Sequence, residues 1–166
     1  MRVRVGRRRL LPVPEESLLT DDVRALIGQS KVIGKVTVTR QAYKRALDTY
    51  TGRHNDPPPD GAEVPGYVLD GLSTEEDVPR WPNFLPQQVN ISNEWEFERP
   101  LRMGEEFVVS TRLASISERF GGRFGYSLDV RTETVYSEAA TGVEVARKVS
   151  TMSQYNVAEA PIRGER

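Results

Sequence analysis

The sequence predicts an α+β fold whose sheet is antiparallel, and three observations carry the prediction. Residues with helical spacing gather early, residues with two-residue alternation gather late, and the late segments succeed one another across turns marked by glycine and proline. A doubly wound sheet would interleave its helices with its strands instead.

In chain order, Thr20 is placed to cap a short helix that carries Val23, Leu26 and Ile27 on one face and stops at Gly28. A strand enters at Ile33 to Thr39. Thr39 then caps a second helix, in which Ala42, Tyr43, Ala46, Leu47 and Tyr50 recur at helical spacing as one stripe before Gly52 ends it. Such a stripe is expected to be core, Tyr43 and Tyr50 included. Asp56 to Pro86 is rich in proline, glycine and acidic residues, yet Val64, Tyr67, Val68, Leu69, Trp81 and Phe84 anchor it too firmly for a linker. Alternation follows in four strands. Val89, Ile91, Trp95 and Phe97 mark the first, Phe107 to Leu113 the second, Phe124 to Tyr136 the third, and Val143, Val145, Val149 and Thr151 the fourth. Their turns lie at Pro100 to Gly104, at Gly121-Gly122, which suits a tight hairpin, and at Ala139 to Gly142. Trp95, Phe97 and Tyr126 are expected beneath the sheet, as core.

Composition narrows the chemistry. At 166 residues the chain can bury one core unaided. Residues 17–160 read as a single domain, preceded by a basic arm at 1–16 and followed by a tail at 161–166. The chain has no cysteine, which removes disulfides, a thiol nucleophile and thiolate-held metals; its one histidine argues against a His-rich metal site. No metal or cofactor is expected. The formal charge is −1, and the arginines at positions 2, 4, 7, 8 and 9 are balanced by an acidic remainder, so a nucleic-acid partner is disfavoured. No apolar window suggests a secretory signal or a membrane span, and the reading is a soluble cytoplasmic protein.

The stretch Thr49 to Asp60, Thr-Tyr-Thr-Gly-Arg-His-Asn-Asp-Pro-Pro-Pro-Asp, follows the second helix. Further on, Asn93 to Glu105 reads Asn-Glu-Trp-Glu-Phe-Glu-Arg-Pro-Leu-Arg-Met-Gly-Glu. Alternation carries this strand, Pro100 ends it where no ladder donor is needed, and Gly104 supplies the turn. With Val36 to Thr39 leading into the helix, the pattern resembles the MaoC-like (R)-specific enoyl-thioester hydratases and dehydratases, in particular the N-terminal-type, fatty-acid-synthase-like dehydratase domain, over roughly Gly28 to Tyr155.

The resemblance implies a hot-dog fold, an antiparallel sheet wrapped around a helix, with two such units pairing to make one acyl-thioester site. In that family the loop after the helix reads Asp, any residue, Asn, Pro, any residue, His, and the Asp and His handle the water of the reaction. Aligned on Asn55, this chain has Arg53 and Pro58 at those positions; shifted by one, it has His54 and Pro59. Neither frame restores an acid and a base. The chain also departs from the family after the loop, where Val64 to Leu72, weakened by Pro65, Gly66 and Gly71, offers barely two turns for the central helix.

The candidate site follows from the same loop. Asn55 either turns the backbone or faces the thioester channel as its family counterpart does, and Asp56, beside three prolines, reads as a cap or turn residue. His54 is the one side chain that titrates near neutrality unaided, so His54 and Asp56 are the catalytic candidates. Tyr50, Arg53, Asn55 and Tyr67 are the substrate-binding candidates, with Arg53 able to meet a phosphate of coenzyme A or of a carrier-protein arm. Glu94, Glu96 and Glu98 read as a wet sheet face. The expected function is that of a substrate-binding, non-catalytic hot-dog subunit of an (R)-specific enoyl-CoA or acyl-carrier-protein hydratase or 3-hydroxyacyl-thioester dehydratase, partnered by a MaoC-like chain with an intact dyad. A self-sufficient divergent hydratase or thioesterase, and a binding module without turnover, are the alternatives.

Overall fold

The computed structural model describes residues 17–72, 81–121 and 125–156. The basic arm, the C-terminal tail, Phe124 and half of the Gly121-Gly122 turn lie outside them.

Both expected helices form for the reasons the sequence gives. Helix α1, Asp21–Ala25, starts where the Thr20 hydroxyl accepts from the Val23 amide. Strand β1, Ser30–Thr37, follows. Helix α2, Arg40–Thr51, is capped by the Thr39 hydroxyl, which accepts from the Ala42 amide at 3.1 Å, and it stops at Gly52, whose φ of 63° only glycine adopts without strain. Ala42, Ala46 and Leu47 are buried, whereas Tyr50, expected in the same stripe, is 53% exposed. The helix ends one residue later, so its last turn runs past the core.

Beyond the loop come a two-residue strand β2, Glu63–Val64, and a 3₁₀ helix, Gly66–Gly71. The long strands are β3, Gln87–Phe97; β5, Glu106–Arg119; β6, Ser127–Glu138; and β7, Glu144–Tyr155. The short strand β4, Leu101–Arg102, pairs with β2. The main sheet has the order β1-β5-β6-β7-β3, antiparallel throughout.

One face of this sheet carries two cores. The first joins Phe107, Val109, Tyr136 and Ala146 to Val68 and Leu69 of the 3₁₀ helix and to Ala42 and Ala46 of α2. The second joins Leu113, Ile116, Tyr126, Leu128 and Val130, covered by Leu19, Val23 and Leu26 from the N-terminal side and by Trp81, Phe84 and Leu85. No long helix lies along the sheet between them among the described residues; where the sequence offered barely two helical turns, a 3₁₀ helix forms at Gly66–Gly71.

Strand β3 departs from a single alternation. A register shift between Asn90 and Ser92 inserts Ile91 as an extra residue, so the side-chain phase flips there. Gln88, Asn90 and Asn93 therefore share the side of Trp95, while Val89 and Ile91 do not. Trp95 is packed against the first core, as expected. Phe97 is 41% exposed, not a core residue; its ring stacks on Trp95 at 5.5 Å and lies over Gly66 at the margin of the first core.

Candidate functional site

The gap between the two cores is a groove of about 420 Å³ whose floor is the sheet itself. Antiparallel register sets two cross-strand rows on that floor. Thr111, Thr134, Lys148 and Trp95 stand opposite one another across β5, β6, β7 and β3, and Leu113, Thr132, Ser150 and Asn93 form the next row. Except for Leu113, the second row is polar, and the Ser150 hydroxyl donates to the Asn93 side-chain carbonyl at 2.8 Å. Ile33, Val36, Val109 and Leu72 supply an apolar wall.

At one end sits a charged pair. Lys148 Nζ donates to Asp70 at 2.7 Å and lies 5.0 Å from the centre of the Trp95 ring. The other oxygen of Asp70 accepts from the Tyr50 hydroxyl at 2.7 Å, which holds that hydroxyl above the usual tyrosine range by hydrogen bonding, burial and the carboxylate's charge. Tyr67 stacks against Tyr50 at 5.2 Å. At the other end the segment 81–86 crosses the sheet without regular structure. Its position is fixed by Gln154, buried to 3% exposure, whose side-chain carbonyl accepts from the amides of Phe84 and Leu85 at 2.7 and 3.2 Å. The Trp81 ring N–H adds a long bond, 3.4 Å, to Thr111.

The structure thus brings together Tyr50 and Tyr67, two expected binding residues, in direct ring contact, with Tyr50 also bonded to Asp70. It keeps the loop candidates elsewhere. Arg53, His54, Asn55 and Asp56 are exposed and none lines the groove; His54 Nδ1 is 3.6 Å from Asp48, and Asp56 is 3.9 Å from Lys44. Lys148, Ser150, Thr132 and Thr134 were not singled out as site residues. The signal for them existed: Thr132 and Thr134 fall on the inward alternation of β6, and the even-numbered positions of β7 run Lys148, Ser150, Met152, Gln154.

Comparison with solved structures places this architecture. The ChsH1-ChsH2 complex from Mycobacterium tuberculosis matches at 12% identity over 82% of this chain and 86% of the other, with a TM-score of 0.59. The HadBC (3R-hydroxyacyl-ACP dehydratase) complex from the same organism matches at 18% identity, covering 77% and 96%, with a TM-score of 0.54. A MaoC-like dehydratase from Rhodospirillum rubrum matches at 17%, covering 82% and 94%, again at 0.54. No family model matches the chain, and no curated protein matches it. The domain has the hot-dog fold of the MaoC-like dehydratases, as the resemblance implies. Among the described residues no helix is long and apolar enough to cross a membrane.

Proposed function

We propose that the chain is the substrate-binding, non-catalytic hot-dog subunit of an (R)-specific enoyl-CoA or acyl-carrier-protein hydratase or 3-hydroxyacyl-thioester dehydratase, acting in cytoplasmic fatty-acid metabolism with a partner that carries the intact dyad. The observation that carries the reading is the pairing of an open groove with a loop that offers no acid and base. Water addition needs one group to accept a proton and another to give one, and neither Arg53 nor Pro58 does so near neutral pH. Among the described residues, the charged groups lining the groove, Lys148 and Asp70, are spent on each other.

The sheet edges support a partner. Strand β1 is eight residues long, bulged at Ile33, and carries Lys31 and Lys35, features that blunt an edge. Strand β3 is also bulged, at Ile91, but it is eleven residues long, has no lysine or proline, and leaves Val89 and Ile91 exposed. Its unpaired backbone side is the receptive edge. Two of the matched structures are complexes of two hot-dog chains, which fits the same reading.

The test is hydration of crotonyl-CoA and longer enoyl-CoA by the purified chain, by its His54→Ala variant, and by the chain mixed with a MaoC-like protein bearing the dyad. Losing a positioned acid or base costs about 10²- to 10⁴-fold each, so the chain alone should run near background. Robust turnover that vanishes in His54→Ala would make this a self-sufficient enzyme.

A further inference from the structure

We infer that the groove selects an acyl chain bearing a neutral oxygen function, a hydroxyl or a carbonyl, part-way along its length, in preference to an unbroken alkyl chain. This rests on the acyl-thioester reading above and adds the kind of acyl group.

The floor is the evidence. A groove shaped only for hydrocarbon is lined by hydrocarbon, with a few polar groups at the reacting end. Here polar groups run along the floor from Lys148 to Gln154. The half-buried Thr132 and Thr134 hydroxyls make no hydrogen bond to any described residue, while Gln88 and Asn90 are exposed along the open β3 side. Asn93 accepts from Ser150 and keeps its amide N–H groups to donate. Two-residue spacing on β6 sets Thr132 and Thr134 about 7 Å apart along the groove.

Charge then fixes what those groups can meet. Lys148 and Asp70 neutralise one another at 2.7 Å, so the groove has no free charge among its described residues to hold an acid or an amine. Neutral donors and acceptors remain. The wall of Ile33, Val36, Val109 and Leu72 takes hydrocarbon on either side of them. A saturated chain laid over Thr132 and Thr134 would displace their water and return no hydrogen bond. A site built to bond an oxygen rejects the analogue without it more strongly than an apolar pocket rejects an added group.

The experiment is calorimetric binding of decanoyl-CoA and of its mid-chain hydroxy and oxo derivatives to the full chain, with Trp81 and Trp95 fluorescence as a second readout. The oxygenated chains should bind about tenfold tighter for each hydrogen bond gained. Thr132→Val and Thr134→Val, near-isosteric and checked by thermal melting, should each lower the ratio of oxygenated-chain to decanoyl-CoA affinity. Equal or tighter binding of decanoyl-CoA by the unsubstituted chain would overturn the inference and leave the thioester reading standing. Failure of every acyl-CoA to bind would overturn that reading, and the inference with it.

Discussion

The two cores on one face of the sheet differ in how they are closed. Over the first, the 3₁₀ helix and α2 bury Val68, Leu69, Ala42 and Ala46 against Phe107, and the covering backbone satisfies most of its own hydrogen bonds. Over the second, α1 and its flanks cover one part and an irregular segment the rest, and the amides of that segment must be satisfied by the sheet: Gln154 serves Phe84 and Leu85. A helix brings its own hydrogen-bond partners, whereas a loop laid on a sheet borrows them, because buried N–H groups do not stay unpaired. The second core is therefore held by individual polar contacts as much as by apolar packing.

That contrast can be broken from either side. Phe107→Ala removes a side chain with no exposure at the centre of the first core and should cost about 3 to 5 kcal/mol in denaturant unfolding. An unchanged midpoint would show that the 3₁₀ helix does not close that core. Gln154→Leu keeps the bulk but strands two amides; about 1 to 3 kcal/mol should be lost, and amide exchange at Phe84 and Leu85 should quicken while that of α2 does not. Exchange rising equally in both regions would erase the distinction between the cores.

Gly66→Ala probes the margin of the first core. A Cβ there would stand 2.4 Å from the Phe97 ring, so the ring must move, at a cost of about 1 to 2 kcal/mol. Because Phe97 is partly exposed, Phe97→Ala should relieve most of the effect in the double variant, and strict additivity would refute the clash.

Tyr126→Phe is the gentlest test and addresses the second core. The Tyr126 hydroxyl donates to Glu118 at 2.7 Å and, more than any other contact, holds that carboxyl below the usual range. A carboxylate with a lowered folded pKa contributes stability above its unfolded value and loses it as pH falls through the folded one. The variant should thus be less stable by about 1 kcal/mol at neutral pH, and the gap should close in acid below the ordinary glutamate range. A gap that persists unchanged at low pH would assign the loss to packing.

Much of the fold was legible because local chemistry and tertiary structure agreed. Thr20, Thr39 and Gly52 bound their helices as read, and the late alternation is four long strands. Phe97 and Tyr50 were misplaced for two physical reasons. Phe97 keeps the inward alternation of Trp95 but is the last residue of β3, at the margin of the core, and a helix that outruns its core still shows a continuous stripe. The groove was illegible for a third reason. Inward positions were sought among apolar residues, but a floor meant to meet a polar ligand is written in Thr, Ser, Asn and Lys, which from sequence look like a face turned to water.

The unequal edges of the sheet bear on how far an assembly of this chain can grow. If both borders accepted strands, β3 of one copy could add to β1 of the next, and each addition would present a fresh border, the geometry of an open fibre. Lys31 and Lys35, which β3 lacks, close that route at β1, so a partner added at β3 ends the sheet. Light scattering on the chain should show no particle beyond a pair at this border, and replacing both lysines with valine should release larger, polydisperse species.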